Sequence, residues 1–200
     1  MFLMKTNKLT AKELINTAIF SVVFALIVFV CSMTVGMIPV VFPFLVPICM
    51  VPCGIVWVYM RVKTPKAFSI LIQCAILTLM LFIVGSAWFI VLGMLVGGVL
   101  AEIISGIGKY KNFTLNTIGY AAYGLAFNFG GFALILFARE YYREFMAGNG
   151  MESDYMITLL DFFSLPVFLM TTALTIVTAV IGMLLGKKLM KKHFEKAGIA

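Results

Sequence analysis

Histidine is nearly absent from this chain. The only one, His193, stands among lysines near the C-terminus. A zinc site needs several nitrogen or sulfur ligands at short spacing, and no histidine pair exists to begin one. A Ser-His or Cys-His nucleophile would have to form on His193, outside the apolar part of the chain. No Gly-rich phosphate loop occurs, so the chain alone is not expected to hydrolyse ATP. Cysteine is sparse too. Cys31, Cys49, Cys53 and Cys74 all sit in apolar runs, and no Cys-x-x-Cys occurs. They read as small buried hydrophobes rather than as a metal or redox pair at Cys49 and Cys53. No catalytic residue, cofactor or metal is implied, and the chain is not expected to be an enzyme. Charge is the last scarcity. Charged residues make up 12% of the 200 positions, about half the share of a soluble domain.

What replaces charge is apolar surface, at 63% hydrophobic residues against roughly 45–50% in soluble proteins. One core in a chain of this size cannot hide that much. Lipid accepts it, because lipid tails are as apolar as leucine. The apolar runs are long enough for six crossings of about 20 residues each. The predicted fold is all-α, a single six-transmembrane-helix bundle. Its helices are expected near 12–33, 36–60, 66–84, 87–107, 114–138 and 159–186, with one polar external loop over 139–158. Thr10 and Glu13 have capping-box spacing and start the first helix. Gly85-Ser86 breaks the long third and fourth runs. The apolar stretch after Lys12 is too long for a removable secretory signal, and no small-residue cleavage site follows it.

The chain carries 15 lysines and arginines. With six crossings, all but Arg139 and Arg143 fall at the end of the bundle that holds both termini. The positive-inside rule makes both termini cytoplasmic. The positive charge then sets orientation and meets lipid headgroups. A continuous basic surface for nucleic acid is not evident, so no nucleic-acid partner is expected.

Few features can carry function. Pro39, Pro43, Pro47 and Pro52 crowd the second helix. They predict either a partly unwound outer segment beside a pocket or an ordinary kink. Small residues four apart recur as Thr17, Ser21 and Ala25, as Gly93, Gly97, Ala101 and Ser105, and as Thr178, Gly182 and Gly186. Such stripes let helix backbones approach closely. Those on the fourth and sixth helices read as packing. The stripe on the first helix is a candidate face for another subunit. Glu102 is the one acid well inside an apolar run. It is either a relay for a proton or cation, or a structural group paired with Lys109, Tyr120 or Tyr123. In the outer half, Trp88, Phe127, Asn128, Arg139, Asp161 and Ser164 are candidates to line a small-molecule site, aromatic walls with few polar groups being its usual composition.

Lys63-Thr-Pro-Lys66, Gly97-Gly-Val-Leu-Ala-Glu102, Gly108-Lys-Tyr110 and the C-terminal stretch Gly186 to Ile199 occur in that order across most of the chain. In this pattern the sequence resembles the substrate-binding S components of energy-coupling factor transporters, and more narrowly the Trep_Strep family of bacterial membrane proteins. The resemblance implies a multi-pass protein of the bacterial cell membrane that captures a vitamin or other micronutrient. It also implies a transmembrane coupling subunit and two cytoplasmic ATPases as partners. On that likeness Thr17, Ser21 and Ala25 would dock the coupling subunit, with Thr and Ser where Ala is typical. The other readings are a membrane assembly or regulatory protein without a ligand, and an ion- or proton-coupled carrier built on Glu102.

Overall fold

The computed structural model describes residues 9–151 and 153–196. Lys5, Lys8, the side chains from position 192 onward (His193 among them) and the end of the C-terminal motif lie outside the described residues. Every regular element described is helical. In chain order they are α1 (Ala11–Val35), a 3-10 turn (Phe42–Phe44), α2 (Leu45–Lys63), α3 (Ser69–Ile83), α4 (Trp88–Ile107), α5 (Phe113–Phe137), α6 (Arg139–Gly148), α7 (Ser153–Phe162) and α8 (Leu165–Lys196). Five of these, α1, α2 with its 3-10 turn, α4, α5 and α8, are long and apolar enough to cross a membrane. The apolar α3 has only 15 residues, about 22 Å of helix against a hydrocarbon core of about 30 Å.

Local chemistry explains the boundaries. Thr10 and Glu13 cap α1 reciprocally: the Thr10 amide donates to Glu13 Oε2 at 2.8 Å and the Glu13 amide to Thr10 Oγ1 at 3.3 Å. Gly85 makes the α3–α4 turn at φ +87°, a conformation that favours glycine. Asn112 caps α5 by accepting from the Leu115 amide at 3.0 Å. The proline-rich segment resolves in favour of unwinding. Residues 36–44 form turns and the 3-10 element; Pro47 falls in the first turn of α2 and Pro52 in its interior.

Two expectations are corrected. The 139–158 segment is not a polar loop but mostly helix, α6 and the start of α7. In α6 Tyr142 is buried while Arg139, Glu140 and Arg143 are exposed. That one-sided pattern is amphipathic and holds a helix at an apolar surface. The expected sixth helix does not start at 159. α7 ends at Phe162, and α8 begins after Phe163-Ser164 and runs on to Lys196.

The bundle is held by close backbone contact. α4 lies along α5 and α2 along α8. A Cβ placed on Gly93 would stand 2.7 Å from the Gly130 Cα, and one on Gly54 would stand 2.9 Å from the Gly182 Cα. No side chain fits at either crossing. The small-residue stripes of α4 and α8 therefore pack helices within the chain. Between these seams sits an aromatic centre. Trp57 packs on Tyr120 and Tyr123 with ring centroids at 4.9 and 5.6 Å, and Phe24 reaches Trp57 and Tyr123 from α1.

Candidate functional site

The unwound segment before α2 does more than bend the chain. It opens a cavity of about 530 Å³ at the lysine-poor end of the bundle. Gly36, Phe42 and Leu45 form one wall, Ile90 and Phe127 another, and Phe145 and Met146 of α6 close it from outside. The volume suits a small organic molecule, and a few polar groups in an apolar wall are usual for such sites. Two of the polar side chains present are already engaged: Ser32 Oγ donates to the Val28 carbonyl at 2.8 Å and Asn149 Nδ2 to the Phe145 carbonyl at 2.7 Å.

The short helices α6 and α7 cover this end and are anchored differently. α6 is held by rings: Phe89 of α4 lies 5.7 Å from Tyr142 and 5.5 Å from Phe145, centroid to centroid. α7 buries Met156, Leu159 and Leu160, and Tyr155 Oη donates to the Gly36 carbonyl at 2.6 Å. Burial pushes the Tyr155 phenol up to about 12, so the neutral donor form prevails at ordinary pH.

Of the six side chains the sequence proposed for a site, the structure brings only Phe127 to this cavity. Trp88 is exposed and donates from Nε1 to Tyr141 Oη at 3.1 Å. Arg139 and Asp161 pair at 3.3 Å on the surface, and Ser164 is exposed in the α7–α8 break. Asn128 is fully buried. Its Nδ2 donates to Thr172 Oγ1 of α8 at 3.2 Å, and its Oδ1 has no partner among the described residues. It ties α5 to α8 rather than lining the cavity. Residues missed include Ser32, Gly36, Phe42, Leu45, Ile90, Phe145 and Met146. Their signal was the proline cluster, which pointed to the unwound segment but not to its partners across the bundle.

The remaining candidates turn inward. Thr17 and Ser21 are fully buried and Ala25 nearly so, on the side of α1 that meets α2 and α3. That stripe is closed by the chain itself, so it is not an open docking face in this structure. Thr17 and Ser21 hydroxyls donate to the carbonyls one turn back, which lets polar residues sit at a tight helix contact. Among the described residues Glu102 makes no hydrogen bond to Lys109, Tyr120 or Tyr123. Its carboxylate accepts from the amides of Phe68 at 2.7 Å and Leu71 at 3.3 Å. These are first-turn amides of α3, whose own N-cap, Phe68, has no capping side chain and sits at φ 68°. Glu102 supplies the missing cap from a neighbouring helix, as a carboxylate at a helix N-terminus should. The motif Lys63-Thr-Pro-Lys66 is tied to the same end, with Lys66 Nζ 2.8 Å from Glu13 of α1.

These features define a class: an all-helical, multi-pass membrane protein with a covered apolar cavity at its lysine-poor end. The family model described as a hypothetical bacterial integral membrane protein (Trep_Strep) matches residues 11–196. The chain belongs to that family, and it is a multi-pass membrane protein of bacteria. No curated protein and no solved structure matches it.

Proposed function

We propose that this protein is the substrate-capture subunit of an energy-coupling-factor importer. The reading rests on the cavity of about 530 Å³ between the unwound α2 entrance, Phe127 and the cover made by α6 and the turn after it. In this reading α3 completes six crossings, both termini face the cytoplasm, and the cavity opens outward. A small, largely apolar or aromatic micronutrient is the ligand, because the walls offer rings and aliphatic side chains with few free polar groups. The protein itself is non-catalytic. A transmembrane coupling subunit and two cytoplasmic ATPases supply the energy, and they dock on a surface other than the buried Thr17, Ser21 and Ala25.

The test is purification of the tagged chain from its native membrane under mild detergent. Recovery of an ATPase pair and a transmembrane subunit in fixed stoichiometry is the expected result. A chain that elutes alone, with no uptake defect in cells lacking it, refutes the role. A carrier built on Glu102 is disfavoured, because both of its oxygens serve α3 amides. Uptake is therefore expected to persist in a folded Glu102→Gln variant.

A further inference from the structure

A second cavity, of about 430 Å³, lies at the lysine-rich end between α2, the α4–α5 turn, α5 and α8. Arg61 lines it. Only 3% of Arg61 is exposed, and its Nε and Nη1 have no hydrogen-bond partner among the described residues. Nη2 alone is engaged, donating to the Thr64 carbonyl at 2.7 Å and to Ser69 Oγ. A buried guanidinium with unmet donors is costly, because its lost hydration is not replaced. Glu102 is near enough to act on it through charge, but its oxygens are held by the α3 amides. Tyr110 gives its ring face, 5.8 Å from the guanidinium carbon. A ring face satisfies charge but accepts no second hydrogen bond in good geometry.

The rest of the wall completes an anion site. Lys111 and Lys187 stand at the exposed mouth, and Lys187 is braced over the Phe113 ring at 4.5 Å. Burial raises the Tyr110 phenol to about 12, with the Glu102 carboxylate adding to the effect, so the phenol stays uncharged there. Asn116 contributes an acceptor: its Nδ2 donates to the Tyr110 carbonyl at 3.1 Å, leaving Oδ1 buried and without a partner among the described residues. That oxygen suits a hydroxyl beside the anion, either the P–OH of hydrogen phosphate or an alcohol of a headgroup. Val58, Val62 and Met183 make the inner wall apolar.

We infer that this cavity is a phosphate-binding site, in which the buried Arg61 and the mouth lysines take the phosphate of an anionic lipid headgroup or of a free phosphate. Arginine and lysine together are the usual ligands of phosphate oxygens. The inference is independent of the capture role proposed above.

The experiment uses the full chain in detergent micelles, as wild type and as Lys111→Glu/Lys187→Glu. Both substituted positions are exposed, so this variant should fold, and its melting temperature checks that. Arg61→Gln is a second variant, compared at a temperature where its melting curve shows it folded, since it also loses the Thr64 and Ser69 bonds. It should lose phosphate or phosphatidylglycerol binding as the lysine variant does, and wild-type binding in folded Arg61→Gln overturns the site. In one arm, native mass spectrometry follows retention of phosphatidylglycerol against phosphatidylcholine. In the other, thermal melting is followed with inorganic phosphate against sodium chloride at equal ionic strength. Selective retention of one phosphatidylglycerol, falling about tenfold or more in the lysine variant, identifies a lipid headgroup. Stabilisation by inorganic phosphate that the variant lacks, without lipid retention, identifies a soluble phosphate. Neither effect in wild type, or equal effects in wild type and variant, overturns the site.

Discussion

The two ends of the bundle are built on different chemistry. At the lysine-rich end, polar groups cross between elements in partly or fully buried settings. Glu102 caps α3, Lys66 reaches Glu13, Arg61 fixes the α2–α3 turn and Asn116 fixes the α4–α5 turn. At the opposite end the ion pairs Arg139–Asp161 and Arg143–Glu140 are exposed, and rings do most of the holding. Exposed ion pairs contribute about 0–1 kcal/mol, and ring contacts are less directional than buried hydrogen bonds. The contrast suits one end that keeps its geometry and another whose cover can part from a cavity.

Substitutions can break that comparison, in descending order of effect. Gly182→Leu attacks the seam that both ends share. A Cβ there would lie 2.7 Å from the Val51 carbonyl oxygen, so the loss should reach about 3 kcal/mol or more, and little monodisperse protein should survive size exclusion. Glu102→Leu strips the α3 cap and should cost about 2–3 kcal/mol, read as a lowered melting temperature. Glu102→Gln keeps an acceptor and should lose less than half of that. Tyr155→Phe removes the bond to the Gly36 carbonyl, for about 1 kcal/mol, and amides of Ser153–Phe162 should exchange faster. The wild-type link has a pH signature as well. A phenol raised to about 12 in the folded state, from about 10 unfolded, stabilises fully below pH about 10 and progressively less as pH climbs toward 12. Tyr155→Phe should show a smaller alkaline loss, by the share of one phenol, because Tyr110 is raised over the same range. Arg139→Ala comes last, at under about 0.5 kcal/mol. A loss as large as that of Glu102→Leu would erase the distinction between the ends.

Bulk composition and run length revealed the helical, membrane-embedded class, since neither depends on tertiary contacts. The capping pair Thr10 and Glu13 and the break at Gly85-Ser86 were legible because such signals are local. α6 was not: Arg139, Glu140 and Arg143 read as loop polarity until Tyr142 showed which face is buried. Thr17, Ser21 and Ala25 were read as a face for another subunit, yet the stripe is buried where α1 meets α2 and α3; a small-residue stripe does not say whether its partner is another chain or the same one. Arg61 was counted with Lys63 and Lys66 as an orientation charge. Nothing in its sequence neighbourhood reveals that the fold closes over it. The cavity at the lysine-poor end draws Gly36, Ile90 and Met146 from three distant segments, and only packing assembles them.

The central claim is that this cavity holds a small molecule, and native mass spectrometry of the protein purified from its own membrane tests it most directly. The expected result is one adduct of discrete, reproducible mass on the wild-type chain, lost in Ser32→Trp, which fills the cavity from α1. A wild-type chain without any such adduct, or one carrying the same adduct after Ser32→Trp, would contradict the account.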